Sequence, residues 1–418
     1  MRAHFPAMSL LACGFLVTTG WAATLSIDAG GASASVDDAG GAYRVSLSDL
    51  HFDFAGSVAK PLRDVRKASG TDKIGEFAEL SFDWDEENPI TGTIRTYAKR
   101  PLVLFSQRLH NGATTRPAPF PNFDEIPKPP LHVLSHQNEV FARPAYGAAV
   151  QTSTPWLLFD DSARAVILSP ASNFMVANML GDGTSTIGSG LDIGLTDYPI
   201  GFTHRALLAY GTGIGATYRA WGSALTDLSG KKRPPNDADL GLKYLGYWTD
   251  NGAAYYYNYD PDKGYAATLL AVRDEMRRLE VPVKYMQLDS WWYQKTTTNE
   301  KGVDTGQPKN KNLPKGTWNA YGGLLKYEAH PDLFPDGLAG FQKALGLPLI
   351  THNRWIDAKS PYRDKYQVAG VAPVDPKYWD EIASYLQSCG VMTYEQDWLN
   401  ILWNNSPQLR GSVQLSQA

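Results

Sequence analysis

Cysteine is almost missing from this 418-residue chain: Cys13 and Cys389 are the only two. A disulfide framework is therefore excluded, and Cys389 reads as a core residue beside an apolar strand. Basic charge is not in excess either, because 39 Lys and Arg face 43 Asp and Glu for a formal net charge of −4. That balance offers no electrostatic footprint for nucleic acid. Past residue 23 no apolar run approaches the roughly 20 residues of a spanning helix, so no membrane contact is expected once a leader is removed. The eight His are scattered, with no His-Glu-x-x-His or other metal spacing, and no GxxxxGK[ST] loop occurs. Neither a metal nor a cofactor is expected. YGTGIGA (210–216) has the glycines of a dinucleotide turn but no surrounding βαβ unit, and reads as a tight turn into a helix that leaves the preceding strands.

What is present begins with an N-terminal segment of export type. Arg2 supplies a positive charge, 8–21 is mostly apolar, and Ala22-Ala23 are small enough for cleavage. Residues 1–23 therefore read as a signal peptide, which implies a secreted or periplasmic protein. The remainder is ordinary for a globular protein at 43% hydrophobic and 20% charged residues, which excludes wholesale disorder. Aromatics are abundant, with 12 Trp and 22 Tyr. Flat apolar rings with polar handles suit sugar faces and hydrophobic cores equally.

Two grammars follow one another. Over 24–235, segments such as YRVSLSDLHFDF (43–54), EFAELSFDW (76–84) and PWLLFDDSARAVILSP (155–170) alternate or run apolar between Gly, Pro and Asp turns, predicting a β-sandwich. LSGKKRPPNDADLG (228–241) is charged and proline-bearing, and reads as the boundary. From 240 to 418 strands and helices alternate. KYLGYW (243–248), PVKYMQL (282–288), LPLITH (347–352) and VMTYEQ (391–396) are the strands. Helices are expected over 264–282, with Leu269, Val272, Met276 and Leu279 on one face and Arg273, Arg277 and Arg278 opposite, over 336–346 ending at Gly346, and from the N-cap Asp375 with Pro376 to Gly390. The expected fold is multidomain β plus α/β: an N-terminal β-sandwich followed by the first half of a (β/α)8 TIM barrel. Four β/α units stand where a barrel needs eight and about 250 residues. The chain is thus expected to be a fragment, or a truncated form that covers its sheet edge some other way.

A barrel of this kind presents its chemistry at the C-terminal ends of its strands. Those ends carry Trp248 and Asp250, then Asp289, Ser290, Trp291 and Trp292, then His352, Asn353 and Arg354, then Glu395 and Asp397. Several acids among aromatic rings match what glycoside hydrolysis requires: a carboxylate to attack or stabilise an oxocarbenium-like centre, and polar groups to hold hydroxyls.

These segments resemble the α-galactosidase and raffinose-synthase glycosidases, glycoside hydrolase family 36 and its clan. YMQLDSWW is similar to their second-strand Asp-Asp-Gly-Trp stretch, HPDLFPDGLAGFQKALGLPL (330–349) to their Phe-Pro-Asp-Gly-Leu helix entry, and VMTYEQDW to the strand bearing their nucleophile. LHVLSHQNEVFARP (131–144) resembles part of their N-terminal sandwich. The resemblance implies a retaining glycosidase acting on terminal α-linked sugars, with an oligosaccharide or glycoside as its partner. It makes Asp397 the nucleophile and Asp289 a binder of sugar hydroxyls, while Trp248, Asp250, Trp292, His352, Arg354 and Glu395 are expected around the sugar from their strand-end positions alone. Ser290 replaces the family's second Asp and Glu395 its Lys, so galactose specificity does not carry over. The family's acid/base carboxylate belongs to a later strand, so these 418 residues alone imply impaired turnover.

Other readings of the same residues stay open at this level. Asp289 also fits a helix cap or a partner for Arg354, His352 a core imidazole, and Asp397 a structural acid. Trp291 and Trp292 point opposite ways on a continuing strand, making one core and one a platform. The alternative function is a non-catalytic or vestigial carbohydrate-binding protein.

Overall fold

The computed structural model describes residues 24–128, 131–136, 144–146, 152–249, 259–260, 262–305 and 321–417. The expected signal segment 1–23 and Asp250 lie outside them.

Two antiparallel sheets fill the first half. One has seven strands in the order Thr24–Ala29, Ala32–Asp37, Ala42–Leu47, Phe52–Ser57, Asn122–Glu125, Ile187–Leu191 and Ala177–Gly181. The other has nine, with Leu102–Leu109 and Thr203–Thr212 near its centre. Strict alternation in ASASVD, AYRVSL and ITGTIRTY puts every second side chain inside. Val45 and Phe54 from one sheet meet Phe82, Ile94, Phe105, Trp156 and Leu168 from the other in one core, with Phe120 and Phe123 wedged between. Not all of the strands alternate. Leu102 through Phe105 are buried consecutively, as are Trp156 through Leu158.

The helix Ile214–Ser229 explains those runs. It starts after Gly213 (φ 98°), in the YGTGIGA segment. It does not leave the sandwich as expected. Trp221, Leu225 and Leu228 lie back over Leu102, Leu104 and Leu207, so part of the nine-stranded sheet is covered on both faces. Residues 231–240 then run fully exposed to the next unit.

That unit is a four-stranded parallel sheet: β1 (Gly246–Trp248), β2 (Tyr285–Leu288), β3 (Leu349–Asn353) and β4 (Val391–Gln396), in that spatial order. Helices α1 (Tyr265–Arg278), α2 (Gly337–Leu345) and α3 (Pro376–Ser388) separate them along the chain. The caps follow from local chemistry. Asp375 accepts from the Lys377 N–H at 3.0 Å and Pro376 opens α3, while Gly346 (φ 68°) and Gly390 (φ 69°) adopt the left-handed turn that an L side chain resists. An N-cap of this type contributes about 1 kcal/mol. One helix face differs from expectation. In α1 the inward residues are Tyr265, Thr268 and Leu269, whereas Leu279 is exposed beyond the helix end. Arg273 does not face solvent but donates from Nη1 to the Leu345 carbonyl at 2.9 Å, closing the C-terminus of α2.

Two further features complete the frame. The polar excursion after β2 returns as a hairpin, Tyr293–Lys295 against Leu324–Ala329, which places Tyr293 and Tyr327 against β3. The C-terminal segment forms three short helical stretches. It crosses to the first half, where Val413 enters the sandwich core and Ser412 bridges Asp197.

Candidate active site at the strand ends

Parallel strands in register bring their last residues to one level. Trp248 pairs with Gln287, Leu288 with Thr351, and His352 with Glu395. Just past β1, buried Thr249 organises the floor. Its N–H donates to Gln287 Oε1 at 3.1 Å, and its Oγ1 accepts from the Asp289 N–H at 3.0 Å and from Trp291 Nε1 at 3.3 Å. With its oxygen engaged there, the Gln287 amide turns Nε2 to Glu395 Oε2 at 2.9 Å. Asp289 itself accepts the Ser290 N–H on Oδ1, and among the described residues it forms no ion pair with Arg354.

His352 is clamped from three sides. Its carbonyl accepts from Trp292 Nε1 and from Tyr327 Oη, both at 3.2 Å, and its ring lies parallel to that of Tyr293 with Nδ1 3.4 Å from the phenol. Nε2 faces Asp397 Oδ2 at 3.2 Å. An ionised carboxylate only accepts, so Nε2 carries the proton that points at Asp397.

Asp397 follows β4 with its N–H on the Asn353 carbonyl at 3.0 Å and Oδ1 accepting the Trp398 N–H at 2.6 Å. Its side chain is 58% exposed, the accessible end of the arrangement. Trp398 sits at φ 57°, ψ 36°, a backbone region that bulky residues avoid at a cost of about 1–3 kcal/mol. That turn swings its ring into a box with Tyr321 and Trp355, and all three rings surround the Arg354 guanidinium at 5.3–6.0 Å. Arg354 Nη1 donates to the Gly322 carbonyl at 3.0 Å, and its Nε has no hydrogen-bond partner among the described residues.

The acids are tuned apart. The His352 hydrogen bond holds the Asp397 carboxyl below the usual Asp range, helped by the Trp398 N–H and the Arg354 charge. Burial pushes Glu395 above the usual Glu range, and the charges of Asp289 and Asp397 add to the push while Gln287 and His352 oppose it. Both outer acids therefore bear on Glu395.

The opposite shifts predict opposite pH slopes. For Glu395 the folded state holds the proton more tightly, so stability falls as pH rises from 4.5 through the raised folded value. For Asp397 the contribution is present above 3.8 and is lost as pH falls through the lowered folded value. Glu395→Gln is therefore expected to gain stability relative to the parent between about pH 4 and about pH 7. Urea unfolding midpoints at the two pH values measure this, and a pH-independent difference rejects it.

Solved structures share this architecture. An α-N-acetylgalactosaminidase from Bifidobacterium bifidum superposes with a TM-score of 0.50 at 10% identity, over 88% of this chain and 69% of that one. A family 36 α-galactosidase from Geobacillus stearothermophilus gives 0.53 at 12% identity, over 89% and 64%. A glycoside hydrolase family 97 enzyme from Pseudoalteromonas sp. strain K8, solved with acarbose, gives 0.52 at 12% identity, over 89% and 58%. The likeness is one of fold. This chain thus spans between just over half and about two thirds of those glycosidases' lengths. No protein-family model matches it, and no curated sequence does.

On this glycosidase-like frame the expected residues fall into three groups. Asp289, His352, Glu395 and Asp397 come together as described, and Trp248, 44% exposed, offers a ring at the edge. Arg354 is present, but carbonyl and aromatic partners replace the expected carboxylate. Trp292 is a correction. It is fully enclosed, as is Trp291, so neither is a platform; Trp292 supports His352 from inside. Thr249, Gln287, Tyr293 and Tyr327 were not anticipated, whereas Trp398 follows Asp397 directly at the end of the fourth strand and was legible there. Among the described residues no group of His, Cys, Asp and Glu could hold a metal.

Proposed function

We propose that this chain is a retaining glycosidase acting on terminal α-linked sugars, with Asp397 as the nucleophile. The observation that carries the reading is the exposed, ionised Asp397 hydrogen-bonded to a locked His352 beside a second acid whose carboxyl burial pushes the other way, at adjacent strand ends. A nucleophile must be ionised and reachable; Asp397 is both. In this reading Asp397 attacks the anomeric carbon from one side of the ring while the leaving group departs from the other, forming a glycosyl ester that water later cleaves. Asp289 and Glu395 bind sugar hydroxyls, and Arg354 contributes positive charge that keeps Asp397 anionic. Glu395 offers a carboxyl group where the family 36 resemblance places an ammonium, which argues for a sugar other than galactose. The consecutive, all-parallel strand order supports placing 240–418 as the first half of a (β/α)8 barrel, behind a sandwich domain over 24–235. The leader-like residues 1–23 support export.

An activated α-glycosyl fluoride carrying a second fluorine on the ring tests the assignment, because fluoride leaves without a general acid. Mass spectrometry of the digested protein is expected to find the glycosyl group on Asp397. Labelling of another residue, or none across a panel of hexosyl fluorides, overturns it. The second reading, sugar binding without chemistry, predicts calorimetric binding with no label.

A further inference from the structure

The outer face of the nine-stranded sheet carries a second polar surface, lined by none of the strand-end residues. The helix Ile214–Ser229 covers only part of that face, up to the row that contains Leu104 and Leu207. Beyond it lies an open groove of about 450 Å³. Strand register makes its floor regular. Arg66, Ser81, Thr93, Ser106 and Arg205 are direct neighbours across five strands, and Thr91, Arg108 and Thr203 form the next row. At roughly 4.8 Å per strand the first row is about 19 Å long.

Four arginines face one glutamate in the lining, on a protein whose formal net charge is −4. Two of the four are engaged. Arg95 is paired with Glu79 and Asp72 and lies over the Phe77 ring, and Arg66 donates to the Asp64 carbonyl near Asp83. Arg108 and Arg205 are exposed and have no carboxylate partner among the described residues. They flank the hydroxyls of Thr93, Ser106 and Thr203.

We infer that this groove binds an acidic oligosaccharide, with Arg108 and Arg205 taking its carboxylate or sulfate groups and the row of hydroxyls meeting its sugar hydroxyls. Arginine presents a planar fork matched to such anions. Among the described residues no aromatic ring lines the groove, so they supply no stacking platform of the kind single-stranded nucleic acid uses. Among them Leu104 is the one large apolar lining residue, so they form no pocket that would anchor a peptide. A ligand rich in both hydroxyls and negative charge is what remains.

Calorimetry on the whole chain tests this with four probes: tetragalacturonate, a sulfated chondroitin tetrasaccharide, neutral cellotetraose and tetraglutamate. At least one acidic saccharide is expected to bind, more weakly as salt rises, and to lose about tenfold or more in affinity in the double variant R108A/R205A. Both side chains are exposed, and Thr93→Val, which removes one hydroxyl, should weaken binding several-fold with the arginines intact. Which acid binds better separates carboxylate from sulfate recognition. Absence of binding by both acidic saccharides, equal binding of cellotetraose or tetraglutamate, or affinity unchanged in R108A/R205A overturns the inference. None of these outcomes bears on Asp397.

Discussion

Asp397→Asn is expected to slow glycosyl transfer from an activated α-glycosyl fluoride by roughly 10³-fold or more. The amide keeps the shape of the carboxylate but has no negative charge with which to attack, and its nitrogen meets donors. His352 Nε2 and the Trp398 N–H both direct hydrogens at the acid's oxygens, so one of the two contacts must be lost or His352 must change tautomer. Fluoride release followed over time measures the effect. Loss of rate with sugar affinity retained within a few-fold places the residue in the chemical step. An Asn variant that turns over at the parental rate removes Asp397 from the mechanism.

Trp292→Ala should be the most destabilising single change at the site, by about 3–5 kcal/mol. The ring is fully buried between Tyr293 and Tyr327, at 5.6 and 4.9 Å between centroids, and its Nε1 holds the His352 carbonyl. Truncation leaves a cavity beneath the histidine and an acceptor short of one donor. Trp292→Phe restores most of the volume but not the hydrogen bond, and should recover more than half of the loss. Urea unfolding of the three proteins gives the comparison. A Trp292→Ala protein as stable as the parent but deficient in sugar binding would restore the platform role that its burial rules out.

Legibility differed between backbone and site. Strand alternation in ASASVD and AYRVSL, the Asp375–Pro376 start and the left-handed Gly346 and Gly390 are local features, written within a few residues of where they act, and they appear where the sequence puts them. Continuous apolar runs such as LVLF were less informative, because burial on both faces depends on a helix more than 100 residues away. At the site, Asp289, His352, Glu395 and Asp397 were readable because strand ends are a known place to look. Their supports were not. Gln287 reaches Glu395 across 108 positions, and Tyr293 reaches His352 across 59. The Arg354 cage depends on a left-handed turn at Trp398 that no propensity favours.

The sequence by itself determined the order of elements, the change from sheets to alternating strands and helices, and the acids at the strand tips. All of these rest on period, turn chemistry and position along a strand. Only the tertiary structure decided that both tryptophans are core, which acid is held below its usual range and which is pushed above it, and which arginines lack a carboxylate partner. Those properties come from burial and from charges brought together across the fold. A side chain's neighbours in space, not its neighbours in the chain, set both.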